Sequence, residues 1–235
     1  MKHPCLNAAA ALTLLLGFAP AMAEEPYAPS INPADFSTEI TNPLFNMPIG
    51  KKMVYESKSE DGLERIETFI PGNTKILMGV KTLLFRDIVT RNGVVIEDTR
   101  DYIAQHKDGT VWYFGEEVDN FENGKLKDHH GSWLAGVDNA QPGIWMNATQ
   151  VVGESYRQEF YKGEAEDWAK VIAIDATVKV AAGEFKNCTK TLEWTPLEPD
   201  KKAHKYNCPG TGGITLEEEL QDGTRVELLK VTTAG

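Results

Sequence analysis

Five dipeptides of one kind punctuate the chain after Gly50: Asp61-Gly62, Asn92-Gly93, Asp108-Gly109, Asn123-Gly124 and Asp222-Gly223. A type I′ turn needs positive φ at both central residues, which Asn, Asp and Gly tolerate, and its twist matches that of the strands it joins. Each dipeptide is therefore read as a type I′ hairpin turn. Strand-like runs flank them at 53–57, 63–70, 74–78, 83–91, 94–105, 111–114 and 225–231. Short strands at regular spacing between turn signals predict an antiparallel meander. Alternation supports this: Ala176, Val178 and Val180 share one face, with Thr177 and Lys179 opposite, and Val226 and Leu228 alternate with Arg225 and Glu227. Such strands have one dry face and one wet face. Helical patterning is scarce. The one segment that suits a helix is 164–171, whose first turn is acidic, as a helix N-terminus prefers.

Upstream of the meander the chain changes character twice. In residues 1–23, Lys2 and His3 precede an apolar run at 8–18, and the segment closes on Ala21-Met22-Ala23. That is the pattern of a secretory signal peptide cut after Ala23, and it predicts a periplasmic or secreted protein. The apolar run is too short for a retained membrane span. Residues 24–50 carry Pro26, Pro29, Pro33, Pro43 and Pro48, which predicts an irregular N-terminal arm held to the surface by Phe36, Leu44 and Phe45. Residues 51–235 are then the β domain. The net charge of −11 argues against nucleic acid and against an anionic membrane surface as partners. It leaves a small apolar ligand, a metal cation or an envelope protein.

Two of the three cysteines lie beyond the leader, Cys188 and Cys208. In an oxidising compartment such a pair is expected as a disulfide. It would staple the strand-like stretches 186–195 and 203–208. There is no C-x-x-C, and no His at ligand spacing, to suggest metal or redox chemistry.

Signals for chemistry are diffuse. The run 94–96 is apolar and then turns polar on both faces, with Asp98, Arg100 and Tyr102 on one and Glu97, Thr99 and Asp101 on the other. This reads either as the lining of a groove or as a sheet rim with an Asp98–Arg100 ion pair. Trp112 and Phe114 follow on the next strand, and Trp168 lies further on. Asp98, Arg100, Tyr102, Trp112, Phe114 and Trp168 form the expected ligand-binding set, because aromatic walls with a few polar groups suit a small amphipathic ligand. Aromatic core filling explains the same residues. Glu159, Glu164, Glu166 and Asp167 form an acidic cluster, and Glu164, Glu166 and Asp167 with His204 are the candidate metal ligands. The stretch from Asp119 through Asn123-Gly124 begins like a calcium loop and then fails, with His130 where a bidentate Glu is needed. No nucleophile elbow, phosphate loop or dinucleotide fingerprint is present. A carboxylate-dependent lyase or hydrolase is therefore the last of three readings, behind a binding protein and a metal-binding protein.

The last third adds a resemblance. Val178-Lys179-Val180-Ala181-Ala182-Gly183-Glu184-Phe185, the Cys188 strand, and Tyr206-Asn207-Cys208-Pro209-Gly210-Thr211-Gly212-Gly213-Ile214 resemble a recurrent pattern of exported bacterial proteins and lipoproteins. That pattern runs V-x-V-P-A-G-x-F, a strand, then Y-x-x-P-G-x-G and two closing strands. It covers about 174 to 231. Ala181 stands where the pattern has proline, and an extra glycine follows Pro209-Gly210. The resemblance implies a broad, strongly curved sheet similar to the half-barrel of lipoprotein carriers, and no agreed activity. The expected fold is thus all-β: a single large curved antiparallel sheet or half-barrel, with a short helix and an irregular N-terminal arm. The expected function is a non-enzymatic periplasmic binding protein using the concave face.

Overall fold

A computed structural model describes residues 27–59 and 61–233; the leader expected at 1–23 lies outside the described residues. The strands in chain order are β1 (Phe36–Ser37), β2 (Thr41–Asn42), β3 (Phe45–Asn46), β4 (Lys51–Ser59), β5 (Gly62–Phe69), β6 (Thr74–Leu77), β7 (Val80–Arg91), β8 (Val94–His106) and β9 (Val111–Glu122). They continue as β10 (Lys125–Asp128), β11 (Trp133–Leu134), β12 (Gly143–Met146), β13 (Ser155–Arg157), β14 (Trp168–Val180), β15 (Gly183–Trp194), β16 (Lys202–Asn207), β17 (Ile214–Glu219) and β18 (Arg225–Thr233). All but β2 and β3 join one antiparallel sheet, whose main path runs β10-β9-β8-β7-β5-β4-β18-β17-β16-β15-β14-β13. The sheet stays open, with β10 and β13 at the ends of that path. Its two halves meet where β18 returns to β4, from Val226↔Ser57 to Thr233↔Lys51. Local hairpins supply most other pairings, as the turn signals predict.

The turns divide by chemistry. Asn92-Gly93 (φ 50° and 82°) and Asn123-Gly124 (φ 54° and 72°) have both residues at positive φ, as a type I′ turn requires. Asp108 and Asp222 do not join their glycines there. Each instead accepts a hydrogen bond on its carboxylate from the backbone two residues on, Thr110 at 2.8 Å and Thr224 at 2.7 Å. An Asp side chain closes its own turn in this way, so the chain reverses with Asp at negative φ and only Gly109 and Gly223 in the left-handed region.

The short helix expected at 164–171 does not form. Tyr161 and Ala165 close a tight turn through paired backbone hydrogen bonds of 2.6 and 2.8 Å, and β14 starts at Trp168. Ala169 and Val171 are fully buried at a spacing of two. The long ladder between β14 and β15 fixes extended backbone and outweighs the acidic preference of a helix start. The arm also departs from expectation. It forms a 3-10 turn at Pro33–Asp35 and three short strands, and it enters the core: Ile40, Phe45 and Met47 are 1–2% exposed. Buried Asn42 anchors it by donating to the Gly109 and Asn147 carbonyls at 3.0 Å each.

Cys188 and Cys208 are bonded across β15 and the end of β16, beside the Thr189↔Asn207 pair, with Cα atoms 4.1 Å apart. They lie 20 residues apart, and closing a loop of that size in the unfolded chain is worth about 3 kcal/mol. Reduction, or the double substitution Cys188→Ala/Cys208→Ala, is expected to lower stability by that amount. Urea unfolding with and without dithiothreitol measures it, and coincident curves would refute it.

Candidate functional site

Side chains on one face of the sheet, together with the arm, enclose two adjoining chambers of about 250 and 200 Å³. Asp101, Glu116, Trp145, Lys205 and Ile214 line both. The first chamber is lined by the apolar side chains of Phe45, Met47, Met53, Phe85 and Trp145 and by the acidic ones of Asp87, Glu97, Asp101, Glu116 and Glu217. The second adds Tyr113, Tyr156, Glu159, Asp167 and Glu193.

Strand register explains why the acids converge. In β7 and β8, Asp87 faces Thr99 and Phe85 faces Asp101. Side chains alternate along a strand, so Glu97, Thr99 and Asp101 share the cavity face, and Asp87 sits diagonal to both carboxyls. A bulge in β9 adds two more groups. Asp101 pairs with Glu116, but Ile103 pairs with Tyr113, one step out of register. The extra residue turns Tyr113 and Glu116 to the same side, where regular pleating would oppose them. Gly115 makes the bulge possible. Its φ is +121°, and a Cβ there would lie 2.3 Å from the Trp133 carbonyl oxygen. The Tyr113 hydroxyl then donates to Asp101 Oδ1 at 2.5 Å.

One ammonium serves this wall. Lys205 Nζ lies 3.1 Å from Glu193 Oε2 and 3.9 Å from Glu217 Oε1, and Thr191 donates its hydroxyl to the other Glu193 oxygen at 2.9 Å. The Lys205 side chain lines both chambers and keeps 27% of its surface accessible. Burial works against its charge, yet Glu193 and Glu217 outweigh burial and hold its pKa above the ordinary lysine value. The carboxyls shift the other way from ordinary acids. Burial, then Asp101 and Glu97, raise Asp87 well above the carboxylate range. Burial, then Glu159, raises Glu116 likewise. Burial takes Asp101 to about 7 despite the Tyr113 hydrogen bond. Burial, then Asp167, takes Glu159 to about 8.

The residues singled out from sequence fall mostly elsewhere. Asp98, Arg100 and Tyr102 point away from the cavity into an ion-pair ladder on the opposite face. Arg86 holds Asp98 through two hydrogen bonds of 2.5 and 2.8 Å. Arg100 reaches Asp119 at 2.9 Å and Asp98 at 4.0 Å. The Tyr102 hydroxyl donates to Glu117, which also meets Lys75 at 2.7 Å. Trp112 and Phe114 pack against Phe36 of the arm. Trp168 stacks on Trp194 across β14 and β15, centroids 6.1 Å apart, with the Arg157 guanidinium 4.4 Å from its ring. Of the candidate metal ligands, Asp167 lines the second chamber. Glu164 is exposed, Glu166 accepts from the Gly163 amide at 2.8 Å, and His204 pairs across β17 with Glu218, on the face opposite Lys205. The structure does not bring these four together. Among the described residues, no three His, Cys, Asp or Glu side chains are placed to hold one metal ion.

Sequence reading missed Asp87, Glu193, Lys205 and Glu217. The available signal was a charge in line with apolar residues at a spacing of two, as Asp87 is between Phe85 and Val89.

No protein-family model matches the chain. A 4-diphosphocytidyl-2-C-methyl-D-erythritol kinase of Helicobacter pylori is 23% identical over 108 residues, which is 46% of this chain and 37% of the kinase. The chain thus matches little more than a third of that enzyme's length, and a match of this extent assigns no family. A solved structure from Parabacteroides distasonis, described as a "putative lipoprotein", superposes with a TM-score of 0.44 at 11% identity, over 80% of this chain and 98% of that one. Neither likeness bears on the chemistry of the cavity. Among the described residues, no helix is long and apolar enough to cross a membrane.

Proposed function

We propose that this is an exported, non-enzymatic binding protein that holds one small amphipathic molecule inside the curve of its sheet. The observation that carries this reading is the pair of joined chambers, lined by apolar and acidic side chains together. Ligand sites are concave, largely preformed and mostly apolar, with a few placed polar groups. The leader-like segment at 1–23 supports an envelope address. Native mass spectrometry of protein purified from the periplasm without chelator tests the reading, beside the same sample denatured. A small-molecule mass excess lost on denaturation is expected. The variant Ile66→Trp, which places an indole in the first chamber, is expected to lack it. A bare chain in both samples, with an empty solvent extract, would count against the reading.

A second reading, a carboxylate-dependent lyase or hydrolase, is favoured by one feature. Within one cavity burial raises Asp101 to about 7, Glu159 to about 8 and Glu116 well above the carboxylate range, and acid–base groups need such shifts. Recovery of the bound molecule unchanged after prolonged incubation would exclude it.

A further inference from the structure

We propose that the ligand of this cavity is an organic cation, an ammonium or amidinium compound whose charge sits among Asp87, Glu97 and Asp101 and whose apolar body lies against Phe85 and Trp145. The proposal rests on the reading of the chambers as a binding site and goes on to name the class of ligand. Three independent features point the same way.

The first is a shortage of positive charge. Five carboxyls line the first chamber against one cation, Lys205, and Lys205 is already engaged by Glu193 and Glu217. Arg86 and Arg100, the nearest guanidiniums along β7 and β8, face the other side of the sheet with Asp98 and Asp119.

The second is Asp87 itself. It lines the chamber and is deeply enclosed by protein, and its Oδ1 is buried with no hydrogen-bond donor. Buried carboxylates ordinarily gather donors, because an uncompensated one is costly. Burial favours the protonated form of Asp87; an ammonium bound beside it favours release of that proton to solvent and supplies the donor that Oδ1 lacks.

The third is the aromatic group beside it. Phe45, Phe85 and Trp145 have ring centroids 5.3 to 6.0 Å apart, and Tyr113 lies 4.5 Å from Trp145. Aromatic faces attract cations, and more strongly when desolvated. Rings and carboxylates on one wall repel an anionic amphiphile such as a fatty acid. They also suit an organic cation better than a metal ion, since among the described residues no three acidic side chains stand close enough together to hold one metal ion.

Isothermal titration of the full mature protein decides it. The probes are phenethylamine, benzyltrimethylammonium and hexylamine, beside 2-phenylethanol and 3-phenylpropionate as neutral and anionic counterparts. The cations are expected to bind about tenfold or more tighter than either counterpart. Asp87→Asn keeps the side-chain volume and removes the charge, and it is expected to weaken the cations alone. Glu97→Gln is the second variant should the first fold poorly. Equal binding of 2-phenylethanol and phenethylamine would overturn the cation assignment and leave the cavity reading standing. So would a ligand recovered from the native protein that carries no positive charge. Failure of all three cations at millimolar concentration would also overturn it, while the cavity reading answers separately to native mass spectrometry.

Discussion

Lys205→Met is expected to destabilise the protein by about 3–5 kcal/mol at neutral pH, the cost of leaving a buried ion pair without one partner. Methionine keeps the volume and the apolar stem, so loss of packing contributes little. What remains is Glu193 and Glu217 without the ammonium that lies 3.1 and 3.9 Å from them, with Asp167 also lining the second chamber. Lowering the pH is expected to restore part of the loss. Burial already raises Glu217, and without Lys205 its proton affinity rises further, so the folded variant takes up protons that the unfolded chain releases. Urea unfolding at pH 7.5 and at pH 5 reads both effects, and the gap from the natural protein should narrow at pH 5. The triple variant Lys205→Met/Glu193→Gln/Glu217→Gln is expected to recover most of the stability. Replacing a whole buried ion pair by neutral groups is often close to neutral in energy, whereas breaking it is not. A single variant as stable as the natural protein would mean that Lys205 does not compensate these acids.

The contrast between what the sequence disclosed and what it hid comes down to the two-residue period of a strand. Hairpin turns, strand positions and the disulfide partners depend on local chemistry and are legible residue by residue. Which face of a strand meets the cavity depends on the curl of the whole sheet, and a shift of one residue exchanges the two faces. In β8 the polar stretch was evident, but Glu97, Thr99 and Asp101 face the cavity while Asp98, Arg100 and Tyr102 build the outer ladder. The same parity separates Lys205 from His204, and Asp167 from Trp168. The bulge at Gly115 is less legible still. The approach of Trp133 demands it, and Trp133 belongs to a later strand that reaches β9 only in the folded chain. Phe45 and Met47 follow the same logic: a proline-rich arm reads as surface, yet the inside of a curved sheet needs apolar filling from outside its own strands.

The carboxyl wall also sets an unusual pH profile for the natural protein. A buried acid with a raised pKa binds its proton more tightly in the folded state than in the unfolded one. Folding is therefore favoured as pH falls from above the folded value toward the ordinary carboxylate range, and it weakens as pH rises. Asp101, raised to about 7 by burial, and Glu159, raised to about 8 by burial and Asp167, place the steep part of that change between about pH 5 and 7, above the unfolded carboxylate range, and it levels off above about pH 8. Asp87 and Glu116, also raised by burial, act in the same direction. Tyr113 on β9, Glu97 on β8 and Lys205 on β16 line the same chambers. With one to two protons exchanged, stability is expected to fall by roughly 1.4 to 2.8 kcal/mol per pH unit over the steep part. The outer face sets the acid limit. The Arg100 hydrogen bond holds Asp119 below its usual value, and Lys52 does the same for Glu67. Such groups stabilise the fold above the unfolded carboxylate range and lose that contribution as pH falls through their folded values. The maximum is therefore expected near the unfolded carboxylate range, at about pH 4 to 5, and melting curves from about pH 3 to 9 locate it. Asp101→Asn keeps an acceptor for Tyr113 and removes one titrating group, so its slope between about pH 5 and 7 should be visibly shallower. A natural protein whose melting temperature holds level or climbs from about pH 5 to 7 would show that these carboxyls are already ionised in the fold, and that the cavity wall carries its full negative charge at neutral pH.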